Sequence, residues 1–433
     1  MAEHPMTALP HHYLVAMWDE AGRVTAELAV ARRLVERGHR VTVLADPPIA
    51  EDAHAVGAAF RPWARAPARA TRDPGDDPVA DWGARPPFAW IRRLRERLVI
   101  GPADRFAADV AEALDELAPD VVVGDVLLLG AHVATEAAGV PAAALVPTIY
   151  PLPAAGSPPF GTGWQAPRTP PARLRCALVD RLAARLWDRG LPALNQLRAT
   201  RGLEALGTVW AQLDPLDRVR VLSSKSFDAP AGVPENVRYV GPQLDDPSWA
   251  VGAWDPPPGD EPLVLVSLSS GPQDQLPALR RVAAALGSLP VRGLVTTGRA
   301  VDPAAVPAPA SVQVVRSAPH SAILQQAAAV VTHGGHGTVV KALAAGVPVV
   351  CLPMGRDQRD NAARVTRTGA GLRVARGAKA ATIAEAVREV VDDPAFRTAA
   401  RDLWRRLHHG VTDPPRVVQQ LEALVEDRRL RSP

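Results

Sequence analysis

Two parts of this sequence alternate short apolar runs with amphipathic helical stretches, and a proline-rich stretch at residues 245–262 separates them. In the first part, the apolar run Tyr13–Met17 precedes a helical stretch that Gly38 ends, and a second apolar run follows at 41–44. The alternation begins again at Leu263–Ser267. Such a pattern predicts parallel sheets covered by helices. We therefore predict an α/β fold with two doubly wound, Rossmann-like domains.

The length and composition agree with two domains. The chain has 433 residues, of which 47% are hydrophobic, enough to fill two cores. Its mean hydropathy is −0.02, and no apolar run approaches the roughly eighteen residues that cross a bilayer. The N-terminal residues lack the charged start and apolar centre of a signal peptide. We expect a cytoplasmic protein without membrane insertion.

The charge pattern excludes one class of partner. The pI is about 9.2, but the formal net charge is only +3 and the charges are interspersed. A nucleic-acid-binding protein would carry a basic stripe with interleaved aromatic residues, so we expect no nucleic-acid partner. The two cysteines, Cys176 and Cys351, provide neither a disulfide framework nor a metal cluster.

The proline-rich stretch also predicts the domain boundaries. We place the first domain at 1–244, the linker at about 245–262 and the second domain at 263–433. A last helix near residues 414–427 is expected to pack back onto the first domain. Residues 151–172 are rich in proline and glycine and are expected to form a long surface loop.

One segment of the second domain indicates a binding site. An apolar run at 327–331 leads into the sequence HGGHGT at 333–338, and a helical stretch follows. A strand, a glycine-rich turn and a helix start bring free backbone N–H groups and the positive end of the helix dipole together, which suits a phosphate. Asp357 and Gln358 follow the next strand, and a carboxylate beside an amide suits sugar hydroxyls. Diphosphate and sugar together indicate a nucleotide-sugar.

These motifs resemble the donor-binding signature of nucleotide-sugar-dependent glycosyltransferases with the GT-B fold, the class of bacterial natural-product and plant secondary-metabolite enzymes. HGG-x-GT, GVP and DQ-x-x-NA stand in the family's order, and the resemblance covers most of the chain. PDVVVGD is similar to the strand of the catalytic aspartate, and NVRYVGPQLDDP to the interdomain linker. The resemblance implies that the two domains face each other across a cleft, with the acceptor on the first and the donor on the second.

The family's roles carry over to the matching positions. His333 and the neighbouring amides would hold the diphosphate, Asp357 and Gln358 the donor sugar, and residues 318–320 would lie along the nucleobase. Asp125 matches an acid that orients a catalytic histidine. His336 stands where the family varies and is either a ligand or a packing residue. The implied donor-binding residues are Ser269, Ser270, Ser317, Ala318, His320, His333, Gly335, His336, Gly337, Thr338, Asp357 and Gln358.

The chain departs from the family where the acceptor loses its proton. The family usually carries a histidine after the first strand, and here that step is Gly22-Arg23. A guanidinium stays protonated in proteins and cannot act as a base. Three explanations stay open. Asp19, Glu20 or Asp125 is the base; or the acceptor is a carboxylate, an acidic phenol or an amine that needs no base; or the protein is weakly active or an inactive partner.

A second departure concerns the nucleotide. Plant relatives carry a glutamate that accepts from both ribose hydroxyls, and Lys341 stands in its place. Lysine has no acceptor lone pair. A donor nucleotide without a 2′-OH therefore loses fewer hydrogen bonds by this replacement than a nucleotide with one. This favours a dTDP-sugar over a UDP-sugar. Ser317 stands where plant enzymes stack a tryptophan on the base, so we expect the backbone to recognise the base.

The expected reaction is inverting sugar transfer without a metal ion or other cofactor, since no Asp-x-Asp triplet occurs. The expected acceptor is a small, apolar or aromatic aglycone. Tryptophans are mostly core residues, but several fall in first-domain loops where a flat acceptor would bind; they include Trp18, Trp63, Trp82, Trp90 and Trp164. A nucleotide-sugar epimerase or hydrolase, and a non-catalytic sugar-nucleotide-binding partner of another transferase, stay open as alternatives. We expect a monomer or a homodimer.

Overall fold

The computed structural model of the protein describes residues 10–431, apart from residues 21, 81–87, 229, 231, 251, 253 and 410–415. Two parallel sheets form its centre, one of seven strands and one of six, which confirms the predicted α/β fold. The strands are β1 (His12–Ala16), β2 (Arg40–Ala45), β3 (Ala59–Pro62), β4 (Val121–Asp125), β5 (Ala142–Val146), β6 (Arg218–Val221), β7 (Val237–Tyr239), β8 (Leu263–Ser267), β9 (Arg292–Thr296), β10 (Val312–Val315), β11 (Ala327–Thr332), β12 (Val349–Cys351) and β13 (Gly371–Arg373). The helices are α1 (Gly22–Glu36), α2 (Ala50–Ala55), α3 (Ala89–Leu94), α4 (Ala103–Leu117), α5 (Leu129–Ala138), α6 (Pro170–Asp188), α7 (Leu191–Thr200), α8 (Lys225–Asp228), α9 (Leu276–Leu286), α10 (His320–Leu324), α11 (His336–Ala344), α12 (Gln358–Arg367), α13 (Ala380–Asp392), α14 (Pro394–His409) and α15 (Arg416–Arg431).

The strand order places the functional loops. The first sheet has the order β3-β2-β1-β4-β5-β6-β7, and the second β10-β9-β8-β11-β12-β13. In each sheet the chain changes direction once, between β1 and β4 and between β8 and β11. Ligands of open parallel sheets bind at the carboxyl ends of the strands beside such a switch point. The loops after these four strands are therefore the expected walls of a site.

Each sheet is covered on both faces, as its continuous apolar strands require. Successive residues of β1 show this: Leu14 packs with Phe106 and Leu129 on one face, while Tyr13 and Val15 pack on the other. The two sides of a strand alternate because its side chains have a period of two. Helices α4 and α5 cover the first face, and α1 and α15 cover the second.

The last helix belongs in space to the first domain. Val417 and Leu421 of α15 lie in the same apolar cluster as Leu28 of α1. Glu422 accepts hydrogen bonds from Arg37 at 2.9 Å and contacts His39 Nε2 at 2.9 Å. The chain therefore crosses back after completing the second domain.

Segments between the domains are bound to both of them. In the proline-rich stretch, Asp245 pairs with Arg33 of the first domain at 2.9 Å, and Asp246 pairs with Lys341 of the second at 3.1 Å. The loop before α6 also reaches across, since the amides of Gly161 and Gly163 donate to Asp360 of α12 at 2.5 and 2.6 Å. Among the described residues, no helix is long and apolar enough to cross a membrane.

Candidate functional site

A cavity of about 800 Å³ lies between the two domains, and we call it the main cavity. Loops at the carboxyl ends of both sheets line it, as the switch points predict. All twelve donor-binding positions named from the sequence are on its wall. Of the three acids considered as the base, only Glu20 lines it. Trp82 lies outside the described residues.

The turn after β11 presents backbone amides to the main cavity. Gly334 has a φ of +87°, and a Cβ there would lie 2.9 Å from the carbonyl oxygen of Gln358. Only glycine adopts this backbone without strain. α11 begins directly afterwards at His336, so the free N–H groups of its first turn point into the cavity. Such an arrangement of backbone amides is suited to an anion.

The two histidines of the turn differ in their surroundings. His333 is 9% exposed, and burial together with the charge of Arg356 lowers its pKa to about 4. Its ring is therefore neutral near pH 7 and can donate one hydrogen bond. The His336 ring packs against Phe227 of the first domain, with the ring centroids 5.8 Å apart. His336 therefore contributes packing between the domains, in addition to its place on the wall.

Asp357 and Gln358 meet the main cavity from the start of α12. Asn361 Nδ2 donates to Asp357 at 2.9 Å and also to the carbonyl of Gly334, which fixes the acid against the glycine turn. The Gln358 amide is largely used by the protein: its oxygen accepts from the amides of Met354 and Gly355. Its nitrogen donates to Gln273 at 2.8 Å. In the described part of the chain, one N–H of Gln358 and one carboxylate oxygen of Asp357 have no hydrogen-bond partner, so both can contact a ligand.

Arg23 fills the position of the missing histidine. Its guanidinium binds Asp125 with Nη2 and Nε, at 2.6 and 3.2 Å from the same carboxylate oxygen. The other oxygen of Asp125 accepts from the amide of Leu127 at 2.8 Å. Burial alone would lower the pKa of Arg23, but the carboxylates of Asp125 and Glu20 raise it above its ordinary value. Arg23 therefore stays charged, and Asp125 is 1% exposed beneath it.

Two acids near Arg23 do not reach the main cavity. Asp19 is 3% exposed, pairs with Arg72 at 3.0 Å and lines a second cavity of about 550 Å³ instead. Glu27 is buried, and its burial and the charge of Asp125 raise its pKa well above the ordinary value.

Asp19 and Asp125 are disfavoured as bases for the same geometric reason. Neither carboxylate lines the main cavity, where an acceptor fits.

Glu20 is held between the domains. It pairs with Arg23 at 3.4 Å on one side and with Arg356 of the second domain on the other. Arg356 has a φ of +54°, an unusual backbone for a residue with a side chain, and directly precedes Asp357. The sequence pattern gave no signal for Arg356, since it stands in a loop and its partner is more than three hundred residues away.

Comparisons with known proteins identify the family. Residues 281–424 match the family model "Erythromycin biosynthesis protein CIII-like, C-terminal domain". The chain is 30% identical to 4'-demethylrebeccamycin synthase of Lentzea aerocolonigenes, over 90% of this chain and 94% of the relative. It is 32% identical to oleandomycin glycosyltransferase of Streptomyces antibioticus, over 88% and 84% of the two chains. The chain belongs to the natural-product glycosyltransferases.

The solved structures agree with that membership. The calicheamicin glycosyltransferase CalG4 superposes with a TM-score of 0.75 at 25% identity, covering 97% of this chain and 99% of its own. The predicted GT-B fold and the predicted class of enzyme are thereby confirmed.

A tryptophan of the proline-rich stretch lines the main cavity of this glycosyltransferase. Trp249 lies on the wall of both cavities, and its backbone carbonyl accepts from Ser317 Oγ at 3.3 Å. The Arg299 guanidinium stands over its ring, 4.9 Å from the centroid. Arg299 lines only the second cavity, so it covers the ring face away from the main cavity. No sequence pattern indicates a binding role for Trp249, since the proline-rich stretch around it is typical of a linker.

Four aromatic rings form a continuous wall on the first domain, and we call them the aromatic wall. Their successive centroids are 6.0, 6.5 and 4.9 Å apart, in the order Phe160, Trp90, Trp187 and Trp210. Trp164 lines the cavity nearby, whereas Trp18 and Trp63 are buried in the core. Among the described residues, no group of three or more histidine, cysteine or acidic side chains is placed to hold a metal ion.

Proposed function

We propose that this glycosyltransferase moves a sugar from a nucleoside diphosphate sugar, preferentially a dTDP-sugar, to a small natural-product acceptor. The configuration at the anomeric carbon inverts, and no metal ion takes part. The observation that carries the proposal is the main cavity itself. An anion site of backbone amides and an acid for the sugar lie on one domain, and an apolar aromatic wall faces them from the other.

The donor diphosphate fits the N-terminus of α11. Its charge would be stabilised by the helix dipole, the free amides of Gly335 to Thr338 and the neutral ring of His333. Ser269 and Ser270, after β8, line the same end of the cavity. Negative charge grows on the leaving phosphate in the transition state, where these groups are already aimed, so they supply electrostatic stabilisation without a cation.

The nucleoside end supports dTDP over UDP. The Lys341 ammonium is held by Asp246 at 3.1 Å. An ammonium group only donates hydrogen bonds, so it can donate to a 3′-hydroxyl but cannot accept from a 2′-hydroxyl. Trp249 offers its uncovered face to the base, beside Ser317, Ala318 and His320 of the second domain. A structure of the glycosyltransferase VinC, which shares this fold at a TM-score of 0.65 and 17% identity, contains dTDP.

The chemical step uses Glu20 as the general base. The acceptor hydroxyl oxygen forms a bond to the anomeric carbon while the bond from that carbon to the phosphate oxygen breaks on the opposite face. The hydroxyl proton passes to the Glu20 carboxylate, and the nucleoside diphosphate leaves as the anion. Arg23 and Arg356 hold the carboxylate, and a carboxylate accepts at up to four lone-pair positions. Arg23 itself is occupied by Asp125 and Glu20, which disfavours a direct role in binding an anionic acceptor.

A donor and acceptor panel tests the proposal. The protein is incubated with dTDP- and UDP-sugars and with small aromatic aglycones, and the products are read by mass spectrometry. Transfer from dTDP-sugars is the expected result, whereas consumption without an acceptor would indicate a hydrolase or epimerase. Binding without turnover in every combination would indicate a non-catalytic partner, and absence of donor binding would overturn the proposal.

The role of Asp357 has its own test. We expect Asp357→Ala to lower kcat by about tenfold to a thousandfold, because a charge-assisted hydrogen bond to the sugar is lost in the transition state. Affinity for dTDP should remain close to that of the parent enzyme, as measured by calorimetry. Equal losses of kcat and dTDP affinity would show that Asp357 only braces the glycine turn through Asn361.

A further inference from the structure

One acid of the main cavity has no partner. Four acids line the cavity among the described residues, and three of them are engaged. Glu20 pairs with two arginines, Asp357 accepts from Asn361, and Asp188 accepts from the amide of Val209 at 2.9 Å. No hydrogen bond or ion pair to the described part of the chain engages the fourth, Asp180. Its carboxylate is thus available to a ligand.

Asp180 lies on the helix that carries Trp187 of the aromatic wall. It lies on α6, and Ala183, Ala184 and Trp187 of the same helix also line the main cavity. Residues at positions i, i+3, i+4 and i+7 share one face of a helix, so the carboxylate and the Trp187 ring lie about two turns, or roughly 10 Å, apart along α6. The two alanines between them leave room for a ligand that spans this distance.

The surroundings of Asp180 favour a cation as its partner. The carboxylate is half-buried, and burial raises the pKa of Asp180. A partly buried carboxylate without a partner in the described part of the chain is stabilised most by a positive charge. A neutral hydroxyl would donate a hydrogen bond to the carboxylate but would leave its charge without a counter-ion.

We propose that Asp180 binds a protonated amine of the acceptor, so that acceptors of this enzyme carry a basic nitrogen roughly 10 Å from a flat apolar ring system. The inference rests on the proposed function in one respect, namely that the acceptor occupies this half of the main cavity. It assigns to Asp180 a role in selecting the acceptor, separate from the proton transfer at Glu20.

A binding experiment without donor tests the role directly. Planar polycyclic alcohols are prepared in pairs that differ only in a dimethylamino group or its neutral isopropyl counterpart, and binding is followed by quenching of tryptophan fluorescence. We expect the parent enzyme to bind the amine about tenfold to a hundredfold more tightly, as a charge-assisted contact provides. Asp180→Asn should abolish this preference, and Asp180→Glu should retain most of it.

Asp188→Asn is the matched control, because Asp188 lines the same cavity but is engaged by a backbone amide. It should leave the amine preference unchanged. Equal binding of both members of each pair by the parent enzyme would overturn the inference. So would an equal loss of both in Asp180→Asn, which would show that Asp180 only shapes the wall. An unchanged amine preference in Asp180→Asn with a lower kcat would also overturn it, since Asp180 would then act as a base.

The readout separates this inference from the proposed function. Amine binding that depends on Asp180, in a protein that consumes no nucleotide-sugar, would leave the inference standing and remove the glycosyl transfer. Transfer to neutral and amine acceptors with equal kcat/KM would support the proposed glycosyl transfer and overturn the role of Asp180.

Discussion

The two walls of the main cavity are built from different parts of the chain. The wall proposed to bind the donor, which we call the donor wall, consists of backbone amides, short polar side chains and one helix N-terminus, all within a few continuous segments of the second domain. The wall proposed to bind the acceptor, the acceptor wall, consists of aromatic rings and ion pairs that come from α1, α3, α6 and separate loops of the first domain. A wall built from the backbone tolerates little change in its turns, whereas a wall built from side chains can change its ligand through single substitutions. The departure at Arg23 lies in the second kind of wall.

The strongest test of this contrast is the glycine turn of the donor wall. Gly334→Val introduces a β-branched residue at a φ of +87° and a Cβ only 2.9 Å from a backbone oxygen. The strain of about 1–3 kcal/mol and the displaced turn should abolish measurable dTDP binding in calorimetry. Gly377→Ala is the control, because a Cβ there meets no atom within 4 Å. Normal dTDP affinity in Gly334→Val would mean that the amides of this turn do not form the anion site.

The next test concerns the acid of the acceptor wall. Glu20→Gln removes the proposed base, so kcat should fall about 10²- to 10⁴-fold while the donor KM changes little. Asp19→Asn alters the neighbouring acid, which faces the second cavity, and should affect stability more than kcat. Steady-state kinetics of the two variants with one acceptor decide between them. A larger loss of kcat in Asp19→Asn would reassign the base.

Substitution of Arg23 tests the departure from the family. Arg23→Met leaves the Asp125 carboxylate buried without its cation and should lower the free energy of unfolding by about 3–5 kcal/mol. Arg23→His retains a partner for Asp125, so its free energy of unfolding, measured by urea denaturation, should fall by less than that of Arg23→Met. A histidine base must be neutral, so the rate of Arg23→His should fall as the pH drops below roughly 6.5. Full stability of Arg23→Met would show that Asp125 does not need the ion pair.

The smallest expected effect lies at the linker. Trp249→Ala removes a stacking surface worth about 1–3 kcal/mol per base, so affinity for dTDP should fall about fivefold to 150-fold. Trp249→Phe should lose less, and affinity for inorganic pyrophosphate should stay unchanged in both variants. An equal loss for pyrophosphate would place the defect in the closure of the domains rather than in the contact with the base.

The same contrast explains what the sequence predicted. The βα alternation indicated the fold class because periodicity reports on burial, and most of the predicted donor positions lie in two turns between His333 and Gln358, within thirty residues of one another. The structure places all twelve of them on one cavity. Arg356, Trp249 and Asp180 were missed, since each becomes significant only through a partner or a cavity that distant segments create. For the same reason the sequence could not separate Asp19 from Glu20, which are neighbours in the chain but face different cavities.

The contact between Glu20 and Arg356 has a consequence for timing. The proposed base belongs to one domain, while the residue that holds it directly precedes Asp357 of the other, the residue proposed to bind the sugar. If the cleft opened, Glu20 would lose Arg356, and water entering the cleft would meet a base that is held from one side only. Closure of the domains would position the base and the sugar in one movement. The ratio of donor hydrolysis to sugar transfer reports on this coupling, and a ratio that stays high even with saturating acceptor would show that closure and base placement are not coupled.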